Sequence, residues 1–463
     1  MTAAVHEFVR KAAALPDDAT QHQIAAHAIA TLKEETGRAP IHYQGTLYEN
    51  DPVDKLWKPR PKERLEVHFA SRYASQKLCR RATAYRQIVG HYCQVCEDPE
   101  FFSGAPAGIA ADGQFWRVTA SGEIKSEPLT PEHRQRMQVM QTPAFEAEAP
   151  RFFGILRNAF GEGAEGEGQR ELLQMGLGAA LTRQLWRHRI ALLLYGKTST
   201  GKSTILEIFR ALFPLDVIGA TSPQNWASEY YVAALAGKTL NIVGELDPHT
   251  PIPGGPFKAV TGGDVVEGRH PTHRPFSFVC EAAHIFNCNR LPPTRDKSDA
   301  FFRRWRIVEF SNPIPVGSEI TGLAERITAE ESGAVLGWLL DGAAKLAQRG
   351  SLPETDPHRR LIETWRSANN SALQFLTDAE YCKTGSNGPQ PAALVFDNYR
   401  KWASTEGVKP LGRTGFYEAV ADGGGRLGVT IFKDRDGITT IEGVSLLRIP
   451  THRDRPFREG CDR

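Results

Sequence analysis

Fifteen consecutive residues, Ile190-Ala-Leu-Leu-Leu-Tyr-Gly-Lys-Thr-Ser-Thr-Gly-Lys-Ser-Thr204, constrain this chain more than any other stretch. An apolar run too short for a helix meets a Gly/Ser/Thr turn, and an amphipathic run to Phe213 follows. That order predicts a buried strand, a tight loop and a helix start. Gly196, Gly201, Lys202 and Ser203 satisfy the spacing G-x-x-x-x-G-K-[ST]. Glycines let backbone N–H groups close around phosphate oxygens where a Cβ would interfere. The residues from Gly196 through Lys197, Thr198, Ser199, Thr200, Gly201, Lys202 and Ser203 to Thr204 are therefore the expected nucleoside-triphosphate loop. In it Lys202, on an exposed turn, reaches the β/γ-phosphates, Ser203 ligates Mg²⁺, and the helix N-terminus adds positive potential.

A chain of 463 residues exceeds one ordinary core, so two to four domains are expected. No run approaches the 18 apolar residues of a membrane span, and Met1-Thr-Ala-Ala-Val-His-Glu7 lacks the features of a secretory signal. Seven cysteines without regular spacing point to free thiols and a reducing, cytoplasmic setting. A formal charge of +2 means that any nucleic-acid contact must use locally concentrated basic residues.

Residues 1–150 read as an N-terminal α+β region, with a helix over 5–36, a basic stretch from Lys55 to Arg86, and short strands over 108–131. A helical collar is expected over 151–185, interrupted by a flexible acidic loop, Gly161-Glu-Gly-Ala-Glu-Gly-Glu-Gly168. The nucleotide domain follows over 186–350. A Pro- and charge-rich joint leads to a module over 365–450, and a disordered tail over 451–463 carries Arg453, Arg455 and Arg458. In that module Pro391 suits the first turn of an amphipathic helix, Thr414 begins a second, and an Asp-Gly turn follows in a hairpin. Helix, helix, wing is the order of a winged helix-turn-helix.

Two further strands are expected to end beside the loop. Gly237-Lys-Thr-Leu-Asn-Ile-Val-Gly-Glu-Leu-Asp247 delivers acids, with Glu245 the first candidate to hold Mg²⁺ or orient water and Asp247 its partner. Ala283-His-Ile-Phe-Asn-Cys288 delivers Asn289 to reach a γ-phosphate or the attacking water. In Asp299-Ala-Phe-Phe-Arg-Arg-Trp305, Arg303 and Arg304 sit between aromatic anchors, one expected as an arginine finger and the other as a structural ion pair. Between the two strands, β-prone runs flank a basic turn holding Arg269, His270, His273 and Arg274, a hairpin tip suited to DNA or else a solvated loop. Cys93 and Cys96 have the spacing of two zinc ligands, but closing a tetrahedron needs Cys79 or His91.

The compact order of these parts resembles the superfamily 3 helicases, in particular the phage/plasmid primase–helicase (poxvirus-type) family, strongly over 186–312 and loosely elsewhere. The resemblance implies an α/β fold with an AAA+-like P-loop ATPase core and a C-terminal winged-helix module. It also implies ATP-driven unwinding by a homo-hexameric ring, with single-stranded and forked DNA gripped by hairpins in the channel. Two departures stand out. Gly244 precedes Glu245 where some relatives carry adjacent acids. The region before the ATPase core is also too short and too basic for a primase, so a separate primase and other replication proteins are the expected partners. An origin-melting initiator and a nucleotide-switched DNA-binding regulator are the competing functions.

Overall fold

The computed structural model describes residues 15–447 apart from 273, 316, 318, 319, 369, 386, 387 and 409. The tail with Arg453, Arg455 and Arg458 lies outside the described residues. The chain forms two compact units: Met1–Asp247 with Gly255–Arg290 and Arg304–Thr355, and Pro248–Gly254 with Leu291–Arg303 and Asp356–Arg463.

The first unit is built on a five-stranded parallel sheet. Its spatial order is Trp305–Phe310, Ala191–Gly196, Ala283–Cys288, Leu240–Val243 and Ile218–Gly219. Numbered along the chain, that is the order 5-1-4-3-2. Leu192, Leu193 and Leu194 are fully buried, as a strand covered on both faces requires. Helices Pro150–Phe160, Ala164–Leu181, Lys202–Ala211, Leu323–Glu330 and Ser332–Arg349 share a core cluster with this sheet. The expected flexible loop at 161–168 is a correction: the chain is helical from Ala164. Glu165 and Glu167 lie in its first turn, where carboxylates complement the helix dipole. Helices Ala164–Leu181 and Ser332–Arg349 approach so closely that a Cβ on Gly178 would collide with Leu339 O, and one on Gly342 with Gln174 O.

The N-terminal part holds a three-stranded antiparallel sheet, Ile41–Tyr43, Thr46–Asn50 and Trp57–Arg60, with helices Gln21–Thr36, Lys62–Tyr73 and Ala82–Val95. The helix expected over 5–36 starts at Gln21, because Thr20 and Gln23 form a capping box; Gly37, at φ +78°, ends it. Residues 1–14 lie outside the described residues. The Lys55–Arg86 stretch is less of a free cationic surface than its composition implies: Lys58 pairs with Asp51 and Asp54, Arg60 with Glu49, and Arg72 with Glu35. A second antiparallel sheet, Gly108–Ala111, Gln114–Val118 and Ile124–Pro128, turns at Asp112-Gly113 and around Gly122. This matches the turn signals of the sequence. Beneath these strands, buried Arg136 and Arg183 lie 3.2 and 3.6 Å from Glu281, which also accepts from the Tyr43 hydroxyl. The N-terminal strands are thereby tied to the residues that lead into the Ala283–Cys288 strand.

The second unit contains helices Asp356–Ala368, Ser371–Thr377, Ala392–Thr405 and Arg413–Gly423. Strands Thr430–Lys433 and Thr439–Glu442 form a hairpin, and Gln390–Pro391 pairs on the far side of the latter. Phe375, Tyr399, Phe416 and Ile441 fill the core. Pro391 stands at the N-cap and bridges to Thr440, one position outside the first turn expected for it. Among the described residues, no helix is long and apolar enough to cross a membrane.

Two measurements probe this packing. Gly178→Ala overpacks the helix contact and is expected to lower stability by about 1–3 kcal/mol. Gly154→Ala, where a methyl meets nothing within 4 Å, is expected to be neutral or to add up to about 1 kcal/mol. Urea denaturation midpoints of the two variants check the contrast. The second test concerns His284, which is fully buried beside Trp226 and Phe286 and whose pKa burial lowers to about 3. An unfolded histidine takes up its proton near pH 6.5, so this group costs stability as pH falls from about 6.5 towards 3, by up to roughly 1.4 kcal/mol per pH unit. His284→Phe is expected to flatten that fall in denaturant titrations across the same window.

Candidate functional site

The loop between Gly196 and Lys202 is held by backbone demands. Gly196 lies at φ +153° and Gly201 at φ +92°, and a Cβ on Gly196 would collide with Phe310 O. Ser199, at φ +57°, takes a left-handed position, and its carbonyl accepts from Ile314 N at 2.6 Å. The helix begins at Lys202.

Lys202 itself corrects the sequence reading of an exposed turn: it is only 4% exposed. Its Nζ donates to Gly196 O at 2.8 Å, to Lys197 O at 2.6 Å and to Thr200 Oγ1 at 3.2 Å. Burial pulls its pKa below the usual lysine value, against the opposing influence of Cys288 and Glu245. Ser203, by contrast, is exposed at the start of the helix.

The sheet register carries three strand ends to this loop. Cys288 pairs with Tyr195, so Asn289 follows alongside Gly196, and Phe286 pairs with Val243, two residues before Glu245. Asn289 Nδ2 donates to Glu245 Oε1 at 2.8 Å, joining two residues that the sequence reading assigned separately. Asn287 Nδ2 donates to Gly244 O at 2.7 Å, and Leu246 N to Asn287 O at 2.8 Å, so the acidic segment is stitched to the Asn289 strand. Asp247 is exposed two residues on, its backbone bracketed by Gln224, whose Nε2 donates to its carbonyl and whose Oε1 accepts from its amide.

Cys288 and Gln224 were missed by sequence reasoning. Cys288 adjoins Asn289, and its thiol is pushed up to about 12, chiefly by burial, with Lys202 opposing and Glu245 adding to the rise. Its place at the end of an apolar strand was a usable signal. Gln224 is remote in sequence and carries none.

Arg304 lies at the other edge of the sheet. Its carbonyl accepts from Ala191 N at 2.7 Å, so a six-residue strand, about 20 Å, separates it from Gly196. A methyl on Gly262 would stand 3.1 Å from Arg304 Nη2 and 3.5 Å from Asp264 Oδ2. The guanidinium and the carboxylate therefore crowd the same Thr261-Gly-Gly-Asp264 turn. Arg303, one residue earlier, is exposed and caps the short helix Asp299–Phe302.

The basic turn is a hairpin tip, formed by Val265–Gly268 pairing with Phe276–Val279. Arg274 is exposed and His270 stacks on Phe276 at 5.3 Å, whereas Arg269 leans on Glu229 at 3.5 Å and gives up part of its charge to it. His273 lies outside the described residues. Cys93 and Cys96 are buried with Cys79 in an apolar cluster, and burial raises all three thiols above the ordinary cysteine range. His91 Nε2 sits 3.0 Å from His22 Nδ1. Among the described residues, no group of three or more His, Cys, Asp or Glu is arranged to hold a metal ion. Cys93 and Cys96 pack in this apolar cluster.

A family of unknown function (DUF5906) matches residues 194–304, a span that opens in the Ala191–Gly196 strand and closes on Arg304. No curated protein matches the chain. Among solved structures, the A-form apo structure of the NrS-1 C-terminal region is similar, at 13% identity over 90% of this chain and 98% of that one, with a TM-score of 0.48. A further apo structure of the same region is 11% identical over the same shares, with a TM-score of 0.47.

Proposed function

We propose that this chain is an ATP-dependent DNA helicase of a phage, plasmid or similar mobile element, working as a homo-hexameric ring. The observation that carries the proposal is the Asn289–Glu245 hydrogen bond at the sheet edge where Lys202 closes its glycine loop. A cation, a carboxylate and an amide at one strand edge are the chain's means of binding a triphosphate, orienting a water and sensing the terminal phosphate. The strand order 5-1-4-3-2 supports an AAA+-like core.

The glycine cradle and the exposed Ser203 at the helix start fit ATP with Mg²⁺, which would neutralise phosphate charge there. On ATP binding, Lys202 exchanges its bonds to Gly196 O and Lys197 O for phosphate oxygens. Glu245, oriented by Asn289, takes the proton of the attacking water, and Asp247 lies beyond it as the partner acid. Arg303 serves as finger towards the neighbouring subunit, while Arg304 is the structural arginine beside Asp264.

The hairpin with Arg269, His270, His273 and Arg274 grips single-stranded DNA. The helix–helix–hairpin order of the second unit suits a winged helix on the duplex side of a fork. The pairing of Arg269 with Glu229 favours a second reading, an origin-melting initiator whose hairpin holds DNA too weakly for processive unwinding.

Steady-state hydrolysis with and without single-stranded DNA tests the core of this reading. Lys202→Ala is expected to fall below about a tenth of the wild-type rate, and Glu245→Gln to lose hydrolysis while keeping nucleotide affinity. A Lys202→Ala protein that hydrolyses ATP normally would sink the proposal, and displacement of a forked strand separates helicase from initiator. Arg303→Ala alone is expected to lose about 10³-fold or more. Mixed with Lys202→Ala subunits it should recover part of the activity, since each protein supplies what the other lacks; assembled mixtures without recovery would place the arginine's action within one chain.

A further inference from the structure

The boundary between the two compact units falls at the peptide bond joining Arg303 to Arg304. Arg303 therefore belongs with the helices after residue 356, and the contacts within that unit converge on the short helix Asp299–Phe302 that it caps. Trp365, fully buried, meets Phe301 edge-on at 5.7 Å and Phe302 at 5.8 Å. Its Nε1 donates to Pro292 O at 2.6 Å, fixing the indole against the chain that leads into the short helix. The next residue, Arg366, pairs with Asp299 at 2.6 Å and lies 4.3 Å over the Phe302 ring. Four residues on, Asn370 caps helix Ser371–Thr377 through Ala372 N and Leu373 N, and its Nδ2 donates to Ala419 O in helix Arg413–Gly423.

A helix of four residues has one turn of internal bonds and cannot fix its own direction. The side chain at its end is aimed by whatever clamps the turn. Here both ends of the turn are clamped from one neighbouring helix: Asp299 at the start by Arg366, and Phe301 and Phe302 at the finish by Trp365. Asn370 carries that helix on to the C-terminal helices.

We infer that Trp365 and Arg366 are positioning residues for Arg303, so that the aim of the finger is set through the C-terminal helices. This inference rests on the reading of Arg303 as a finger. It adds that the contribution one subunit makes to its neighbour's hydrolysis is under the control of that subunit's own C-terminal module. Engagement of that module by DNA would then alter hydrolysis at the adjacent loop by re-aiming a single guanidinium.

The test uses the full chain and steady-state ATP hydrolysis. Arg366→Ala is expected to lower kcat by about 10- to 100-fold, the cost of a displaced catalytic group, with KM for ATP unchanged because Lys202 and its loop are untouched. Arg366→Lys, which keeps a cation between Asp299 and Phe302, should restore most of the loss. The double variant Arg303→Ala/Arg366→Ala should be no slower than Arg303→Ala alone, since residues acting through one another are not additive. Should Arg366→Ala fail to fold, Trp365→Phe keeps a smaller aromatic ring by Phe301 and Phe302 while losing the bond to Pro292 O and part of the indole's packing, and the same split between kcat and KM applies. An active Arg303→Ala removes the finger itself. An inactive Arg303→Ala beside a fully active Arg366→Ala, or a double variant slower than either single one, overturns the positioning role alone.

Discussion

The backbone pairing of Ala191–Gly196 with a strand on either side is the interaction on which the rest depends. One flank is Trp305–Phe310, aligned by Ala191 N donating to Arg304 O; the other is Ala283–Cys288, aligned Cys288 to Tyr195. A side-chain period of two makes such a register unforgiving: a one-residue slip would exchange what Leu192, Leu193 and Leu194 pack against on the two covered faces. The same register decides chemistry. It brings Asn289 level with Gly196, carries Glu245 within reach of Asn289, and sends Arg304 to the opposite edge. The placement of the polar groups is thus inherited from apolar packing, and Leu192, Leu193 and Leu194 matter to the site without touching it.

Two features outside the sheet stiffen this frame in different ways. The contact between Ala164–Leu181 and Ser332–Arg349 is steric: Gly178 and Gly342 let two helix backbones meet, and dispersion between close-packed atoms rewards the approach. The Arg136–Glu281–Arg183 cluster is electrostatic and less economical. It buries two cations against one carboxylate, and burial outweighs attraction at Arg183, whose pKa falls to about 10. Buried charge of this kind contributes little net stability, yet losing one partner is costly, so its effect is to exclude other arrangements of the N-terminal strands.

Much of the site was legible because its parts are local. The glycine loop, the strand ending in Glu245, the hairpin over 265–279 and the C-terminal helix–helix–hairpin order are each carried by short patterns of periodicity and turn residues. What escaped depended on distant partners or on burial. The 161–168 segment reads as a flexible loop from its glycines, but Gly166 is there because a Cβ would press on Phe160 O, a constraint that exists only once the helix is formed. The basic run around Lys58 and Arg72 reads as a cationic surface until Asp51, Asp54 and Glu35 fold against it. Cys93 and Cys96 have a ligand-like spacing that leaves zinc open, and the fold places both thiols in an apolar cluster. Trp365 and Arg366 offered no pattern at all, since their meaning comes from a segment more than sixty residues away.

The loop that closes on Lys202 is filled by its own surrogate. Two carbonyls and a hydroxyl already give the ammonium the oxygens that a phosphate would bring. Occupancy by an anion is then an exchange of partners, rewarded only by the difference between what arrives and what is surrendered. A small monoanion offers little beyond what it displaces. A triphosphate, as proposed for this loop, would offer several charged oxygens at once and could also meet the backbone amides and the helix terminus. On the proposed triphosphate reading, discrimination against simple anions would lie in the resting hydrogen bonds of this one lysine.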